Sequence, residues 1–165
     1  HDLRGAWERG EMSLAFQPIF DLTDGRAVGA EALLRWTHPE LGLVPPSIFI
    51  AIAEDSGQVE VIGHRVLEEA MRAAARWPAA GASRAPFVAI NVSPRQLSLG
   101  DLPETVEGAL RRTGLDPHRL HLELTETAIL RDEAQATAAF TRLRALGVGV
   151  WLDDFGTGFS GLSHL

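Results

Sequence analysis

The feature that most constrains the fold of this chain is a regular alternation of short strand-like segments with longer helix-like ones. Strand character recurs at residues 87–92, 120–126 and 149–155, and segments with helical periodicity separate these runs. Parallel strands cannot be joined by tight turns, so helices that alternate with strands imply right-handed crossovers onto one sheet. The alternation therefore predicts an α/β fold, built on either an open parallel sheet or a barrel.

The start of the chain departs from this pattern. Residues 14–20 and 27–36 both have strand character, and the segment between them contains Asp24 and Gly25, a pair that favours a tight turn. We therefore expect an antiparallel hairpin, followed by parallel strands. A complete (β/α)8 barrel takes about 250 residues. Five strands are predicted in these 165 residues, so the sequence predicts part of a TIM-like barrel. About five of the eight strands are present, and the first is antiparallel to the others.

The helices are predicted from apolar spacing and from capping residues. Helical patterns cover 46–55, 59–77 and 103–112, and a further helix is capped by Asp132 and ended by Gly147. The helix over 59–77 has one apolar face, formed by Ile62, Val66, Ala70, Met71, Ala74 and Trp77.

Composition excludes several classes of function. The 165 residues contain no cysteine, so disulfides, thiolate metal sites and a cysteine nucleophile are ruled out. All 15 basic side chains are arginine, which leaves no lysine in this sequence to act as a general base or Schiff-base former. The formal net charge of -7 disfavours binding to a nucleic acid polymer or an anionic membrane. No apolar run approaches the roughly 18 residues of a membrane span, so no direct membrane contact is expected.

Polar side chains occupy the predicted strands where a metal could bind. In 120–126 the leucines alternate with His121, Glu123 and Thr125, which places those three toward the barrel interior. Functional groups of a barrel collect at the carboxyl ends of its strands, and carboxylates gathered there repel one another unless cations neutralise them. The oxygen donors, which suit Mg²⁺, Mn²⁺ or Ca²⁺ rather than Zn²⁺ or copper, are Glu31, Asn91, Glu123, Asp153 and Asp154.

Two reaction classes fit such a site on the residues alone. A pair of metal ions, with Asp153 as bridging ligand, activates water and stabilises both oxygens in phosphodiester hydrolysis. Arg35, on the strand of Glu31, is placed to hold a substrate phosphate. Carboxylate-bound Mg²⁺ at strand ends also serves enolase-type proton abstraction. Both reactions remain open at this point.

Several of these residues also have ordinary structural roles. Asp154 can cap the following helix, Arg35 can pair with a carboxylate at the rim, and Gln17 can satisfy backbone groups at a strand end. His121 is expected to be a hydrogen-bonded residue of the barrel interior rather than a metal ligand.

The segments that contain these residues are similar to motifs of the EAL-domain family of cyclic-di-GMP phosphodiesterases. In the family's order they are Phe16-Gln-Pro-Ile19, Glu31-Ala-Leu-Leu-Arg-Trp36, Asn91-Val-Ser93, Glu123-Leu-Thr-Glu126 and Asp153-Asp-Phe-Gly-Thr-Gly158. The resemblance covers the whole sequence and about the first two thirds of a family domain. It implies a barrel whose first strand runs antiparallel to the others, in agreement with the predicted hairpin.

The resemblance also implies roles for individual residues. Gln17 and Arg35 contact the substrate, and Glu126 supports the loop at 155–160, which shapes the metal site and a homodimer contact. The implied cofactor is a pair of Mg²⁺ or Mn²⁺ ions, with no organic cofactor. The metal ligands are Glu31, Asn91, Glu123, Asp153 and Asp154, of which Glu31, Asp153 and Asp154 are also expected to be catalytic.

The family's remaining motifs, including a lysine proposed to act on the attacking water, are expected past Leu165. Residues 1–165 are therefore interpreted as an EAL domain that is incomplete at its C-terminus. The implied function is metal-dependent hydrolysis of cyclic di-GMP to the linear dinucleotide in bacterial signalling, and residues 1–165 without the later motifs and lysine are not expected to be a competent hydrolase by themselves. The alternative is a non-catalytic cyclic-di-GMP receptor or interaction module.

The expected partners are cyclic di-GMP, a second copy of the chain, and a fused GGDEF or sensory domain outside this sequence. The expected location is the cytoplasm, either alone or as the cytoplasmic part of a membrane-anchored protein.

Overall fold

The fold is organised around a mixed sheet, as seen in a computed structural model that describes residues 3–78 and 85–153. The strands are β1 (Met12–Phe20), β2 (Ala27–His38), β3 (Gly42–Val44), β4 (Phe87–Asn91), β5 (Leu120–Thr125) and β6 (Gly149–Asp153). The helices are α1 (Pro46–Ser56), α2 (Gln58–Ala75), α3 (Pro94–Ser98), α4 (Leu102–Thr113), α5 (Glu126–Arg131) and α6 (Glu133–Ala145), with a 3₁₀ turn at Pro117–Arg119.

The strand order is β1-β2-β4-β5-β6, and β3 pairs with β2 outside this path. β1 is antiparallel to β2, whereas β2, β4, β5 and β6 are parallel to one another. The predicted hairpin and the predicted parallel order are both confirmed. Over the described ranges the sheet is not closed, and the terminal strand β6 leaves Trp151 37% and Leu152 48% exposed.

The turn between β1 and β2 is built from side chains that suit it. Gly25 has a φ of 69°, a left-handed conformation that costs glycine little. The backbone N–H of Gly25 donates to the Asp21 carbonyl at 2.8 Å, and the Asp21 carboxylate accepts from the Thr23 N–H at 2.8 Å. This local hydrogen bonding sets the register of the hairpin.

Side-chain alternation in β5 directs apolar and polar groups to opposite faces of the sheet. Leu120, Leu122 and Leu124 are all 0% exposed, whereas the residues between them are half-buried. Because successive side chains of a strand point to opposite faces, the leucines pack under the helices and Glu123 faces the other side. The parity predicted for this strand is therefore confirmed.

The predicted apolar face of α2 is also buried, with one difference at its end. Ile62, Val66 and Met71 lie in the core, but the helix ends at Ala75, so Trp77 is not part of it. The ring of Trp77 still packs edge-on against Phe16, with centroids 5.3 Å apart.

No helix within the described residues is both long and apolar enough to cross a bilayer.

Three short strands and helices escaped the sequence analysis, and several predicted boundaries differ from the observed ones by one or two residues. β3, α3 and α5 have three, five and six residues, too few for a periodic pattern to be distinctive. The strand predicted over 120–126 ends at Thr125, because Glu126 already begins α5. The strand predicted to run to Phe155 is described as far as Asp153.

Glu11, which directly precedes β1, is hydrogen-bonded to residues near the end of β2. Its carboxylate accepts a hydrogen bond from the indole N–H of Trp36 at 3.0 Å, and its carbonyl accepts from the Thr37 N–H at 2.8 Å. The Arg9 guanidinium also donates to this carboxylate, and these contacts lower the pKa of Glu11 from 4.5 to about 2. Arg9 is the largest cause of the shift, followed by Trp36.

This contact predicts an acid-sensitive contribution to stability. A carboxyl whose pKa is lower in the folded state stabilises the fold above its unfolded pKa, so the contribution is lost as pH falls from 4.5 towards about 2. We expect Glu11→Gln to reduce the loss of Tm between pH 5 and pH 2.5, measured by circular dichroism. The matched control is Glu40→Gln, at an exposed carboxylate in the β2–β3 turn. Parallel Tm curves for the Glu11→Gln variant and the unmodified protein would contradict this assignment.

Candidate metal centre and ligand pocket

The centre of the candidate site is a contact between Glu31 and Asn91. The Asn91 side-chain N–H donates to Oε1 of Glu31 at 2.7 Å, across the neighbouring strands β2 and β4. Glu31 pairs in register with Ala89, so Asn91 is the next residue of β4 on the same face of the sheet. The hydrogen bond uses the amide nitrogen of Asn91 and leaves its carbonyl oxygen as a potential metal ligand.

The strand register extends this arrangement across β5 and β6. Asn91 lies opposite Glu123, and Thr125 lies opposite Asp153. Neighbouring strands are about 4.8 Å apart, so these positions follow one another towards the carboxyl ends of the segments over which β2, β4, β5 and β6 pair in parallel. The strand register thus places the backbone positions of Glu31, Asn91, Glu123 and Asp153 on neighbouring strands. The side chain of Asp153 and all of Asp154 lie outside the described residues.

The donor chemistry of this row fits a hard divalent cation. Glu31 and Glu123 offer carboxylate oxygens and Asn91 an amide oxygen, which is the ligand type preferred by Mg²⁺ and Mn²⁺. The described residues do not themselves group three His, Asp or Glu side chains closely enough to hold a metal ion. The fit therefore rests on the oxygen donors and on the strand register.

Gln17 and Arg35 flank the row. Gln17 is exposed and lies opposite Glu31 in the β1–β2 ladder, which places both residues on one face of the hairpin. Arg35 is half-buried near the end of β2, and its guanidinium donates to the Leu34 carbonyl at 3.0 Å. Both predicted substrate contacts therefore come from strands adjoining the candidate metal ligands.

A cavity of about 550 Å³ opens beside Arg35 and Asn91. Its polar lining comes from β2, α1, β4, α3, β5 and the turn after β4, whereas its apolar lining comes mainly from β2, α1 and α2. Neither Glu31 nor Glu123 lines it, so the cavity lies beside the carboxylates rather than around them. The lining includes Arg35, Ser47, Asn91, Ser93, Gln96, Thr125, Ile50, Val59, Ile62 and Val66.

Three aromatic rings pack on the same face of the sheet, next to the carboxylates. The His121 ring lies 4.6 Å from Phe87 and 4.2 Å from Trp151 between centroids, and Phe87 and Trp151 are 5.2 Å apart. Two glycines make room for them. A Cβ on Gly29 would lie 2.4 Å from the Phe87 ring, and one on Gly149 would lie 2.2 Å from His121. We refer to Phe87, His121 and Trp151 as the aromatic floor.

The expectation that His121 is hydrogen-bonded is wrong for one ring nitrogen. Nδ1 of His121 is buried and has no hydrogen-bond partner within the described part of the chain. Burial lowers the pKa of the imidazole below its ordinary value of 6.5, because the charged form is poorly solvated between two aromatic rings. His121 therefore contributes to the packing of the aromatic floor.

The sequence analysis assigned no role to Gln96, although the side chain is buried and lines the cavity. The pair Ser93 and Gln96 has the spacing of a capping box, and Pro94 between them is typical of a first helical residue. That spacing was a usable signal for α3.

The side chain of Glu126 and the loop at 155–160 lie outside the described residues, so their predicted supporting role is untested.

Comparison with known proteins identifies close relatives over the whole chain. The family model for the EAL domain matches residues 1–165. The bifunctional diguanylate cyclase/cyclic di-GMP phosphodiesterase MucR of Pseudomonas aeruginosa is 42% identical over 166 residues, covering 100% of this chain and 24% of MucR. The chain spans between about a fifth and about half of the length of the curated relatives that it matches.

Solved structures agree with the sequence match. The MucR phosphodiesterase in complex with c-di-GMP superimposes with a TM-score of 0.89 at 41% identity, over 97% of this chain and 64% of that one. The EAL enzyme Bd1971, with cAMP and cyclic-di-GMP bound, superimposes with a TM-score of 0.86 at 34% identity, over 98% of this chain and 44% of that one. Both are EAL domains, which are TIM-like barrels, so the predicted fold class is confirmed.

Proposed function

Because this chain belongs to the EAL domain family, we propose that it forms the ligand-binding and catalytic part of a metal-dependent phosphodiesterase that hydrolyses cyclic di-GMP to the linear dinucleotide. The observation that carries the proposal is the hydrogen bond between Glu31 and Asn91, in register with Glu123. Glu31, Asn91 and Glu123 belong to three neighbouring parallel strands, and barrel enzymes have their active sites at the carboxyl ends of such strands.

In this proposal the metal ligands are Glu31, Asn91, Glu123, Asp153 and Asp154. A bound pair of Mg²⁺ or Mn²⁺ ions supplies an activated water and neutralises charge on the reacting phosphodiester. Glu31, held by Asn91, contributes a fixed carboxylate on the side of β2.

The remaining residues bind and orient the substrate. Arg35 donates to a non-bridging phosphate oxygen, because a guanidinium provides paired N–H groups that match phosphate. Gln17 contacts the ligand from β1, which lies on the side of β2 away from β4. The cavity beside Arg35 is partly apolar and gives the flat base of a nucleotide a place to bind.

The proposal is tested by chromatographic detection of the linear dinucleotide. Intact protein of verified mass is incubated with cyclic di-GMP and Mn²⁺, and a parallel sample contains EDTA. Product that disappears with EDTA supports the metal-dependent phosphodiesterase. Tight binding of cyclic di-GMP without product would instead support a receptor or interaction module, and the absence of both would overturn the assignment.

Arg35 provides a specific prediction for ligand binding. Arg35→Ala is expected to raise the Kd for cyclic di-GMP by about 10-fold to 100-fold, since hydrogen bonds to charged groups contribute about 1.5–3 kcal/mol. Binding is measured by calorimetry in EDTA, so that no turnover occurs. The matched control is Arg26→Ala, in the exposed β1–β2 turn where Arg26 pairs with Asp24. An unchanged Kd for Arg35→Ala would remove Arg35 from the ligand site.

The wider context is also part of the proposal. MucR carries a cyclase activity by name and is about four times longer than this chain, so a fused cyclase or sensory domain is consistent with a family role. We further propose a cytoplasmic location and a homodimer that uses the loop after β6. Size-exclusion chromatography with light scattering measures the oligomeric state.

A further inference from the structure

Gln96 is buried next to the candidate metal centre. Among the described residues it is the one polar side chain in the buried class, with 8% of its surface exposed. Long polar side chains are seldom buried unless their polar atoms form hydrogen bonds. The hydrogen-bond partners of Gln96 therefore indicate its structural role.

The partners of Gln96 are in the turn that directly follows Asn91. The side-chain Oε1 of Gln96 accepts from the backbone N–H of Ser93 at 3.1 Å, and the backbone N–H of Gln96 donates to Oγ of Ser93 at 3.2 Å. One residue earlier, the N–H of Val92 donates to the Glu123 carbonyl at 2.9 Å. The backbone on the carboxyl side of Asn91 is thus held first by β5 and then by the Gln96 side chain.

Gly63 of α2 provides the space that Gln96 needs. A Cβ at position 63 would lie 2.0 Å from Nε2 and 2.6 Å from Cδ of Gln96. The amide could avoid such a contact only by moving, and movement would break its hydrogen bond to Ser93. Glycine destabilises the interior of a helix relative to alanine, so helix formation alone does not favour glycine at this position.

We propose that Gln96 is a positioning residue for Asn91, and that Gly63 is required to let it act. Gln96 fixes the Asn91–Ser93 turn, which in turn holds the Asn91 amide at Glu31. The role in metal binding rests on the proposed function. The role in placing Asn91 rests on the hydrogen bonds alone.

The test combines Gln96 and Gly63 in a double-mutant cycle, with the Kd for Mn²⁺ of the intact protein measured by calorimetry. Gln96→Ala and Gly63→Ala are each expected to raise this Kd about 10-fold to 100-fold, the usual effect of disturbing groups that orient a ligand. Gly63→Ala should have no further effect when Gln96 is already alanine, because the side chain with which the new methyl collides has been removed.

Two further variants separate positioning from general stability. Gln96→Glu keeps an oxygen that can accept from the Ser93 N–H, so the Kd of this variant for Mn²⁺ should stay within about threefold of that of the unmodified protein. Gln135→Ala removes another glutamine that contacts α3, through the Ser98 carbonyl at the far end of that helix, and should leave the Kd unchanged. Thermal unfolding of every variant provides the comparison with stability.

The Asn91 side-chain amide signal in the metal-free protein provides a second readout, by ¹⁵N NMR. We expect this signal to shift in Gln96→Ala and in Gly63→Ala, but not in Gln96→Glu. An unchanged Kd and signal in Gln96→Ala, or additive effects of Gly63→Ala, would overturn the positioning role. If the unmodified protein binds no Mn²⁺, the proposed function fails, and the NMR signal still decides whether Gln96 positions Asn91.

Discussion

Glu31→Gln is expected to lower metal-dependent hydrolysis of cyclic di-GMP by more than about 100-fold. Loss of a group that only orients a metal ligand typically costs 10-fold to 100-fold, and the loss of a ligand itself should cost more. Glutamine retains an oxygen that can accept the hydrogen bond from Asn91 but removes the negative charge. The variant therefore tests whether the carboxylate binds a cation, separately from its contact with Asn91.

The measurement is the initial rate of linear product with Mn²⁺, together with the Kd for Mn²⁺. Glu40→Gln makes the same chemical change at an exposed position after β2 and serves as the control. We expect it to retain the rate and the affinity of the unmodified protein. A Glu31→Gln variant that hydrolyses cyclic di-GMP at the unmodified rate would remove Glu31 from the metal ligands.

Leu122→Ala is expected to reduce the free energy of unfolding by about 2–5 kcal/mol, the range for truncation of a buried leucine. Leu122 is 0% exposed on β5, between β4 and β6, and its side chain lies on the face opposite Glu123. Truncation there leaves a cavity under the helices that the neighbouring strands cannot readily fill. The cost should appear as a lower midpoint in urea, with little change in the slope.

Leu22→Ala is the matched control for this change, because Leu22 is 100% exposed in the β1–β2 turn. The same loss of atoms should change the free energy of unfolding by less than about 0.5 kcal/mol. Equal effects at both positions would contradict the side-chain parity of β5. The adjacent variant Glu123→Gln is expected to affect metal binding far more than stability.

The parts of the fold that were predictable are those indicated by patterns among residues close together in the sequence. Asp24 and Gly25 indicated the hairpin, and the alternating leucines at 120, 122 and 124 indicated both a strand and its buried face. β3 and α3 were missed because three and five residues carry too little periodicity to distinguish a strand or helix from a loop. The end of β5 was misplaced and α5 was missed for a related reason, since Thr125 and Glu126 fit either a strand end or a helix start.

The candidate site shows the same division. The sequence indicated which strand carries Glu31, Asn91 and Glu123, because each belongs to a recognisable strand pattern. The relative register of those strands depends on contacts between distant residues, and only the structure places Asn91 one step beyond the partner of Glu31. The contact of Gln96 with Gly63 is also non-local, and no pattern near either residue indicates it.

The antiparallel direction of β1 determines where the chain enters the domain. Met12 pairs with Trp36 and Ser13 with Arg35, so β1 begins beside the end of β2 that carries Arg35. A parallel first strand would instead enter at the far end, near Phe20. A spectroscopic label at Ser13, which is exposed and pairs with Arg35 in the β1–β2 ladder, would thus lie close to Arg35 and be well placed for energy transfer to a fluorescent nucleotide.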